Sequence, residues 1–140
     1  MKAHSYEIIK EVELPILKMY LLKHNIIKMA PFENVEMGVD DLMKMQEVKH
    51  DFVGENHYGV MFVAPTVGMM TKEARELASQ ELINKNAIVK AIVLNNLGMR
   101  LIASFFLKFN KPVKEHRIFD NEADAYIWLE EKIKASGLVK

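Results

Sequence analysis

The segment APTVGMMTKEARE, residues 64–76, carries the residue types best placed for chemistry in this sequence. It leaves an apolar strand, turns at Gly68 and enters a helix with Thr71 at the N-cap position. Sites in α/β sheets usually lie at the carboxyl ends of strands, and helix N-termini present unpaired N–H groups that favour anions. We therefore take Thr66, Gly68 and Thr71 as a candidate switch or anion site. The simpler interpretation, which we favour, is that Thr71 only caps its helix.

The segment LNNLGMR, residues 94–100, follows the next buried strand in the same way. Neighbouring parallel strands bring their carboxyl ends to one edge of a sheet. The sequence therefore predicts that Asn95, Asn96 and Arg100 border the same rim.

Other arrangements that could do chemistry do not form recognisable sites. No two of the five histidines are spaced by three or four residues, the helical spacing that aims two imidazoles at one zinc ion. His50, Asp51, Glu55 and His57 are interpreted as a solvated connection. The sequence contains no cysteine, no Gly-x-Ser-x-Gly elbow and no phosphate-binding loop. We therefore expect no catalytic residue, no metal site and no cofactor.

Composition limits the classes of partner. The chain has 140 residues, and its 19 basic and 19 acidic side chains give zero net charge, which argues against a nucleic-acid-binding surface. No apolar run approaches the roughly 20 residues that span a bilayer, and the charged N-terminus does not resemble a signal peptide. These features favour a soluble cytoplasmic protein.

The hydrophobic pattern predicts an α/β fold in one domain, residues 1–140. Strands are predicted at 5–11, 15–23, 25–29, 58–65, 87–96 and 116–119, and helices at 38–54, 71–86, 97–110 and 121–135. The first strands form an antiparallel meander with a turn at His24 and Asn25. The later alternation of helices and strands implies parallel pairing, so the sheet is mixed.

For two of the predicted helices, the sequence does not determine how each face is covered. The helix 97–110 is apolar on most of its circumference, through Leu101, Ile102, Phe105, Phe106 and Phe109. Such a helix needs cover on both sides, either from residues 25–37 or from a second copy of the chain. We therefore predict a homodimer whose interface includes Leu101, Phe105, Phe106 and Phe109. In the final helix, a face with Ala125, Trp128, Leu129 and Ile133 competes with a face bearing Ala123, Tyr126 and Ile127.

The C-terminal half, roughly residues 58–135, resembles the STAS domain of anti-sigma factor antagonists. It is especially similar to a bacterial STAS/SEC14-like group of small proteins. The resemblance lies in AIVKAIVLNNLGMRLIASFFLKF and KPVKEHRIFDNEADAYIWLEEKI, notably at Ile118, Phe119, Ala125, Trp128 and Leu129. It implies a STAS-like sheet and burial of the Ala125, Trp128 and Leu129 face.

Phosphorylation-regulated STAS antagonists carry Asp-Ser and a following Gly at the start of a helix. The corresponding region here reads TVGMMTKEARELAS and lacks that motif, leaving the hydroxyls of Thr66 and Thr71. The leading interpretation is a non-enzymatic regulatory module that binds a protein partner. The second, implied by the SEC14 side of the resemblance and by the Met- and Phe-rich segment 97–109, is a carrier of a small apolar ligand or lipid.

Overall fold

The structure is a computed structural model, which describes residues 6–80, 83–94, 96–97, 99–100 and 114–140. Within these residues the elements follow one another as β1 (Ile8–Glu13), β2 (Leu17–Leu22), β3 (Ile26–Pro31), β4 (Val35–Met37), α1 (Val39–Val53), β5 (Tyr58–Val63), β6 (Gly68–Met70), α2 (Lys72–Ala78), β7 (Ala87–Val93), β8 (Glu115–Phe119) and α3 (Glu122–Ser136).

The main sheet has six strands in the order β1-β2-β3-β5-β7-β8. The first three are antiparallel neighbours, and β3, β5, β7 and β8 are parallel. His24 and Asn25 make the turn between β2 and β3 with positive φ angles of 71° and 57°, a conformation that Asn and His adopt more readily than most residues. The predicted mixed α/β sheet with an opening meander is confirmed.

The two faces of this sheet bury separate apolar clusters. One cluster packs α1 and α2 on the sheet through residues such as Met19, Met45 and Val60. The other packs α3 through Ala125, Trp128, Leu129 and Ile133, together with Tyr126. The face of the final helix that the resemblance favours is therefore the buried one, and Ile127 of the competing face is exposed.

A second sheet was missed by the sequence analysis. The strands β4 and β6 have three residues each and pair in parallel, with Val35 opposite Gly68 and Met37 opposite Met70. The prediction of a turn at Gly68 was therefore wrong. The missing side chain of Gly68 leaves room for Pro65, whose Cγ lies 2.7 Å from where a Cβ atom would stand.

Helix α2 is shorter than the predicted helix 71–86, since it ends at Ala78. The side-chain amide of Asn84 donates hydrogen bonds of 3.0 Å to the carbonyl oxygens of Ala78 and Gln80. These carbonyls are thus satisfied without a continuing helix.

The first turn of α1 and the end of β7 also differ from the predictions. The sequence favours Asp40 as the N-cap of α1, since Asp is a common capping residue. That prediction is wrong, because the N-cap is Gly38, whose N–H donates to the Asp41 carboxylate at 2.8 Å. Strand β7 ends at Val93, before the predicted end at 96. Of the predicted helix 97–110, Leu97, Met99 and Arg100 are described and helical.

A lysine-lined cavity as the candidate functional site

A cavity of about 100 Å³ lies between α1 and the main sheet. Its walls are mainly apolar side chains from α1, β3 and β5, among them Met29, Met45, Val60 and Phe62. The amphipathic pattern of α1 turns Leu42 and Met45 toward the strands. A cavity of this size and lining accommodates an apolar group.

Two lysines interrupt the apolar lining. Lys49 projects from α1 and is 7% exposed, and Lys90 enters from β7 and is half-buried. The Lys49 ammonium donates to the Tyr58 hydroxyl and to the Ile83 carbonyl oxygen, each at 3.2 Å. Lys90 lies over the ring of Phe62, with its Nζ 5.7 Å from the ring centroid. No acidic side chain is among the described residues that line this cavity.

Lys28 shows how the same protein treats a buried lysine that has a structural role. Lys28 is 8% exposed, like Lys49, but its ammonium pairs with the Glu122 carboxylate and lies 4.9 Å from the centroid of the Tyr20 ring. Lys49 instead donates to two neutral oxygens. The cavity therefore holds positive charge that its described walls do not neutralise.

The pKa values reflect this shortage of negative charge. Burial lowers the pKa of Lys49 to about 8, and the positive charge of Lys90 lowers it further in the same direction. Burial also lowers the pKa of Lys90. Burial raises the pKa of the Tyr58 hydroxyl to about 12, so this group stays neutral at physiological pH and accepts from Lys49.

A second cavity of about 180 Å³ adjoins the first and shares Gln46, Lys49 and Ile83 with it. Its lining is more polar and includes His50 and Lys85, whose side chains are 68% and 66% exposed. We call this space the mouth. Tyr58 and Asn86 also line it, so the mouth lies at the amino ends of β5 and β7.

This position is opposite to the rim that the sequence analysis favoured. The predicted rim lies at the carboxyl ends of the parallel strands, where the N–H of Ala64 donates to the carbonyl oxygen of Val93 at 3.0 Å. The segments after β5 and β7 do leave the sheet side by side, as predicted. The lysines were missed because a lysine within a helix or a strand pattern does not show which way its side chain points.

The candidate switch residues occupy structural positions. The Thr71 hydroxyl accepts the N–H of Ala74 at 3.1 Å and so caps α2. The N–H groups of Thr66 and Val67 each donate to the Glu33 carboxylate at 2.9 Å, and these bonds lower the pKa of Glu33. The Glu33 carboxylate thus already accepts hydrogen bonds from the N–H groups that a bound anion would contact there. A regulatory switch at Thr71 stays a prediction.

The candidate rim residues are described only in part. Asn96 accepts the N–H of Met99 on its side-chain oxygen at 3.1 Å, which caps the helical turn that follows. Arg100 donates its backbone N–H to the Asn96 carbonyl at 3.0 Å, and its buried Nε has no hydrogen-bond partner among the residues that the structure describes. Asn95 and the candidate interface residues Leu101, Phe105, Phe106 and Phe109 lie outside the described residues.

Among the described residues, no group of three or more His, Asp or Glu side chains is arranged to hold a metal ion. No helix in the described ranges is both long enough and apolar enough to cross a membrane.

Comparison with known proteins places the chain by fold and by family. An uncharacterised protein of the DUF3478 family from Shewanella loihica PV-4, described as having a SpoIIAA-like fold, superposes with a TM-score of 0.54. The alignment covers 92% of this chain and 98% of that protein at 13% identity, which confirms the STAS-like fold. No curated protein matches the sequence. The family model of a domain of unknown function, DUF7793, matches residues 20–133, and the chain therefore belongs to that family.

Proposed function

We propose that this protein is a non-enzymatic, cytoplasmic STAS-like module that binds a small anionic ligand with an apolar body. The ligand occupies the cavity under α1, with its acidic group between Lys49 and Lys90. One observation carries the proposal: two lysines line a mainly apolar cavity, and none of the described side chains that line it is acidic. This function corresponds to the small-ligand interpretation of the sequence.

The energetics favour an anion over a neutral molecule. A buried ammonium loses hydration, and only an opposite charge or strong acceptors compensate for that loss. A ligand carboxylate would supply the missing charge to both lysines and raise their pKa values. The neutral oxygens that now accept from Lys49 provide hydrogen bonds without that charge.

The cavity sizes limit the ligand. The inner cavity of about 100 Å³ and the mouth of about 180 Å³ together approach about 300 Å³, the lower end of the volumes of small-molecule sites. A short-chain acid fits these dimensions better than a long-chain lipid does.

Calorimetric titration with hexanoate and with hexanol tests the proposal, because the two probes have a similar chain and differ in charge. We expect wild type to bind hexanoate at least about tenfold more tightly than hexanol, which corresponds to about 1.4 kcal/mol. Lys49→Met and Lys90→Met should weaken hexanoate binding. Lys44→Met is the matched control, since Lys44 is an exposed lysine of the same helix.

Equal affinities for hexanoate and hexanol would contradict the proposal. So would unchanged hexanoate binding by both cavity variants, provided that circular dichroism shows them folded.

A protein partner is the second candidate function, and it is supported by apolar side chains at the carboxyl edge of the sheet. Val67, Met69 and Leu97 are 50%, 62% and 63% exposed, on segments that follow β5 and β7. Apolar side chains exposed near one another are typical of protein-binding surfaces.

Thr71 provides the test of regulation at this edge. Thr71→Ala should cost about 1 kcal/mol of stability through loss of the cap, whereas Thr71→Asp keeps a capping side chain. If the site is a switch, Thr71→Asp changes the affinity for a partner recovered with wild type, because it adds negative charge. Identical binding by wild type and both variants would leave Thr71 as a helix cap alone.

A further inference from the structure

Lys49 combines three features of lysines that react with carbonyl compounds. Its amine lies in an apolar cavity, a second lysine lines the same cavity, and a phenol hydroxyl lies 3.2 Å from its Nζ. Removal from water and a neighbouring cation both favour the neutral amine, which is the nucleophilic form. The mouth gives a small molecule a route to this amine from solvent.

We propose that the Lys49 amine forms a reversible imine with the carbonyl group of a small 2-oxo acid. The carboxylate of that acid pairs with Lys90. This inference rests on the proposed function, because it uses the same cavity, and it names the class of ligand.

The chemistry balances without an oxidant or a reductant. The lone pair of the neutral Lys49 amine attacks the carbonyl carbon, and a proton moves from nitrogen to the carbonyl oxygen to give a carbinolamine. Loss of water from the carbinolamine leaves the carbon–nitrogen double bond, and addition of water reverses the reaction. The Tyr58 hydroxyl keeps its proton at neutral pH and is placed to pass it to the departing oxygen, and the phenolate then takes back the proton that the nitrogen loses, which leaves water, the neutral imine and the neutral phenol.

Charged and titratable side chains from several elements surround the Lys49 amine. Lys90 faces it from β7 and Tyr58 from β5, while His50, Glu55 and Lys85 lie around the mouth. Glu55 is 3.9 Å from both His50 Nδ1 and Lys85 Nζ, so its carboxylate already has the Lys85 ammonium and the His50 ring as neighbours. Burial is the main cause of the lowered pKa of Lys49, and the positive charge of Lys90 adds to it.

Reductive trapping tests the proposal with pyruvate as the probe. Wild-type protein is incubated with pyruvate and cyanoborohydride, and the adduct is located by peptide mass spectrometry. At pH 7.5 an amine with a pKa of about 8 is neutral about two orders of magnitude more often than an ordinary lysine. Since a less basic amine is also a weaker nucleophile, we expect Lys49 to be trapped about tenfold faster than Lys44.

Variants separate the roles of the two lysines. Lys49→Arg keeps the positive charge but has no primary amine, so it should remove the mapped adduct. Lys90→Met should slow trapping at pH 7.5, because it removes the charge that lowers the pKa of Lys49. The loss should be larger for pyruvate than for butanone, since both are small ketones and only pyruvate has a carboxylate for Lys90.

Three results would overturn the inference: trapping of Lys49 no faster than of Lys44, the main adduct at another lysine, or equal trapping of pyruvate and butanone by wild type. Hexanoate has no ketone or aldehyde and cannot form an imine. Its titration therefore shows whether the cavity binds anions even when the imine is absent, so failure of this inference is distinguishable from failure of the proposed function.

Discussion

Lys49 and Lys90 reduce the stability of the folded protein, because they place ammonium groups in an apolar cavity. Methionine, which already lines much of this space, would make equally good apolar contacts with the neighbouring side chains. In contrast, Lys28 on the same sheet has the Glu122 carboxylate as its partner. A lysine without such a partner lowers the stability of the folded protein as long as its ammonium stays protonated.

The pH dependence of stability is a direct test of Lys49. In the unfolded chain its amine keeps a proton up to about pH 10.5, whereas in the folded protein it releases the proton near pH 8. Between these values the unfolded state binds more protons, so the unfolding free energy rises with pH. We expect a rise of about 2 kcal/mol from pH 8 to pH 10, measured by urea denaturation.

Lys44→Met serves as the control for this rise and should keep it. Lys49→Met should reduce it, while the lowered pKa of Lys90 still contributes a rise of the same sign. Above pH 10 the raised pKa of Tyr58 acts in the opposite direction, so the comparison belongs below that value. Identical slopes for Lys49→Met and wild type would show that Lys49 titrates normally.

At the scale of elements, α3 packs closely on β5 and β7. Gly59 of β5 provides the space for this approach, because a Cβ atom there would stand 2.8 Å from Cδ1 of Ile133 and 3.5 Å from Cγ1 of Val89. Ile133 is 4% exposed and belongs to the apolar cluster beneath α3. The absence of a side chain at position 59 therefore sets how closely helix and sheet pack.

Gly59→Ala should destabilise the protein by about 1–3 kcal/mol, because the added methyl group overpacks this contact. Ile133→Val removes the Cδ1 atom that the methyl group would meet. The double variant should consequently lose less stability than the sum of the two single losses. Strictly additive losses in urea denaturation would mean that the clash is relieved elsewhere.

At the scale of the molecule, side chains from distant parts of the sequence hold the first and last described elements together. The Tyr6 hydroxyl donates to Glu122 at 2.6 Å, and the Tyr6 and Tyr126 rings stack with centroids 4.9 Å apart. His24 lies 2.9 Å from the Tyr126 hydroxyl and 3.3 Å from the Glu130 carboxylate. These contacts fix α3 on the face of the sheet opposite α1.

The predicted homodimer remains a prediction at this scale, because the interface residues lie outside the described ranges. Sedimentation velocity across micromolar concentrations should show a dimer, and Phe105→Glu or Phe106→Glu should shift it toward monomer by placing charge in an apolar interface. A strictly monomeric wild type would refute the prediction.

The sequence by itself determined the order and type of most elements. In α3, Asn121 caps the first turn, Glu122 and Asp124 place negative charge there, and Gly137 ends the helix with a φ of 68°. The apolar runs of β5 and β7, the second interrupted by Lys90, likewise predicted strands covered on both faces. These signals are local, because capping, helix-end charge and periodicity depend on neighbours a few residues away.

Tertiary structure alone decided the pairing of β4 with β6, the end of α2 and the candidate site. Strands of three residues carry too little alternation to be recognised, and their pairing joins segments that lie about thirty residues apart. Lys49 and Lys90 share a cavity only because α1 packs on the face of the sheet from which the Lys90 side chain projects. Which side chains meet across a sheet depends on long-range packing, which the spacing of residues along the chain does not encode.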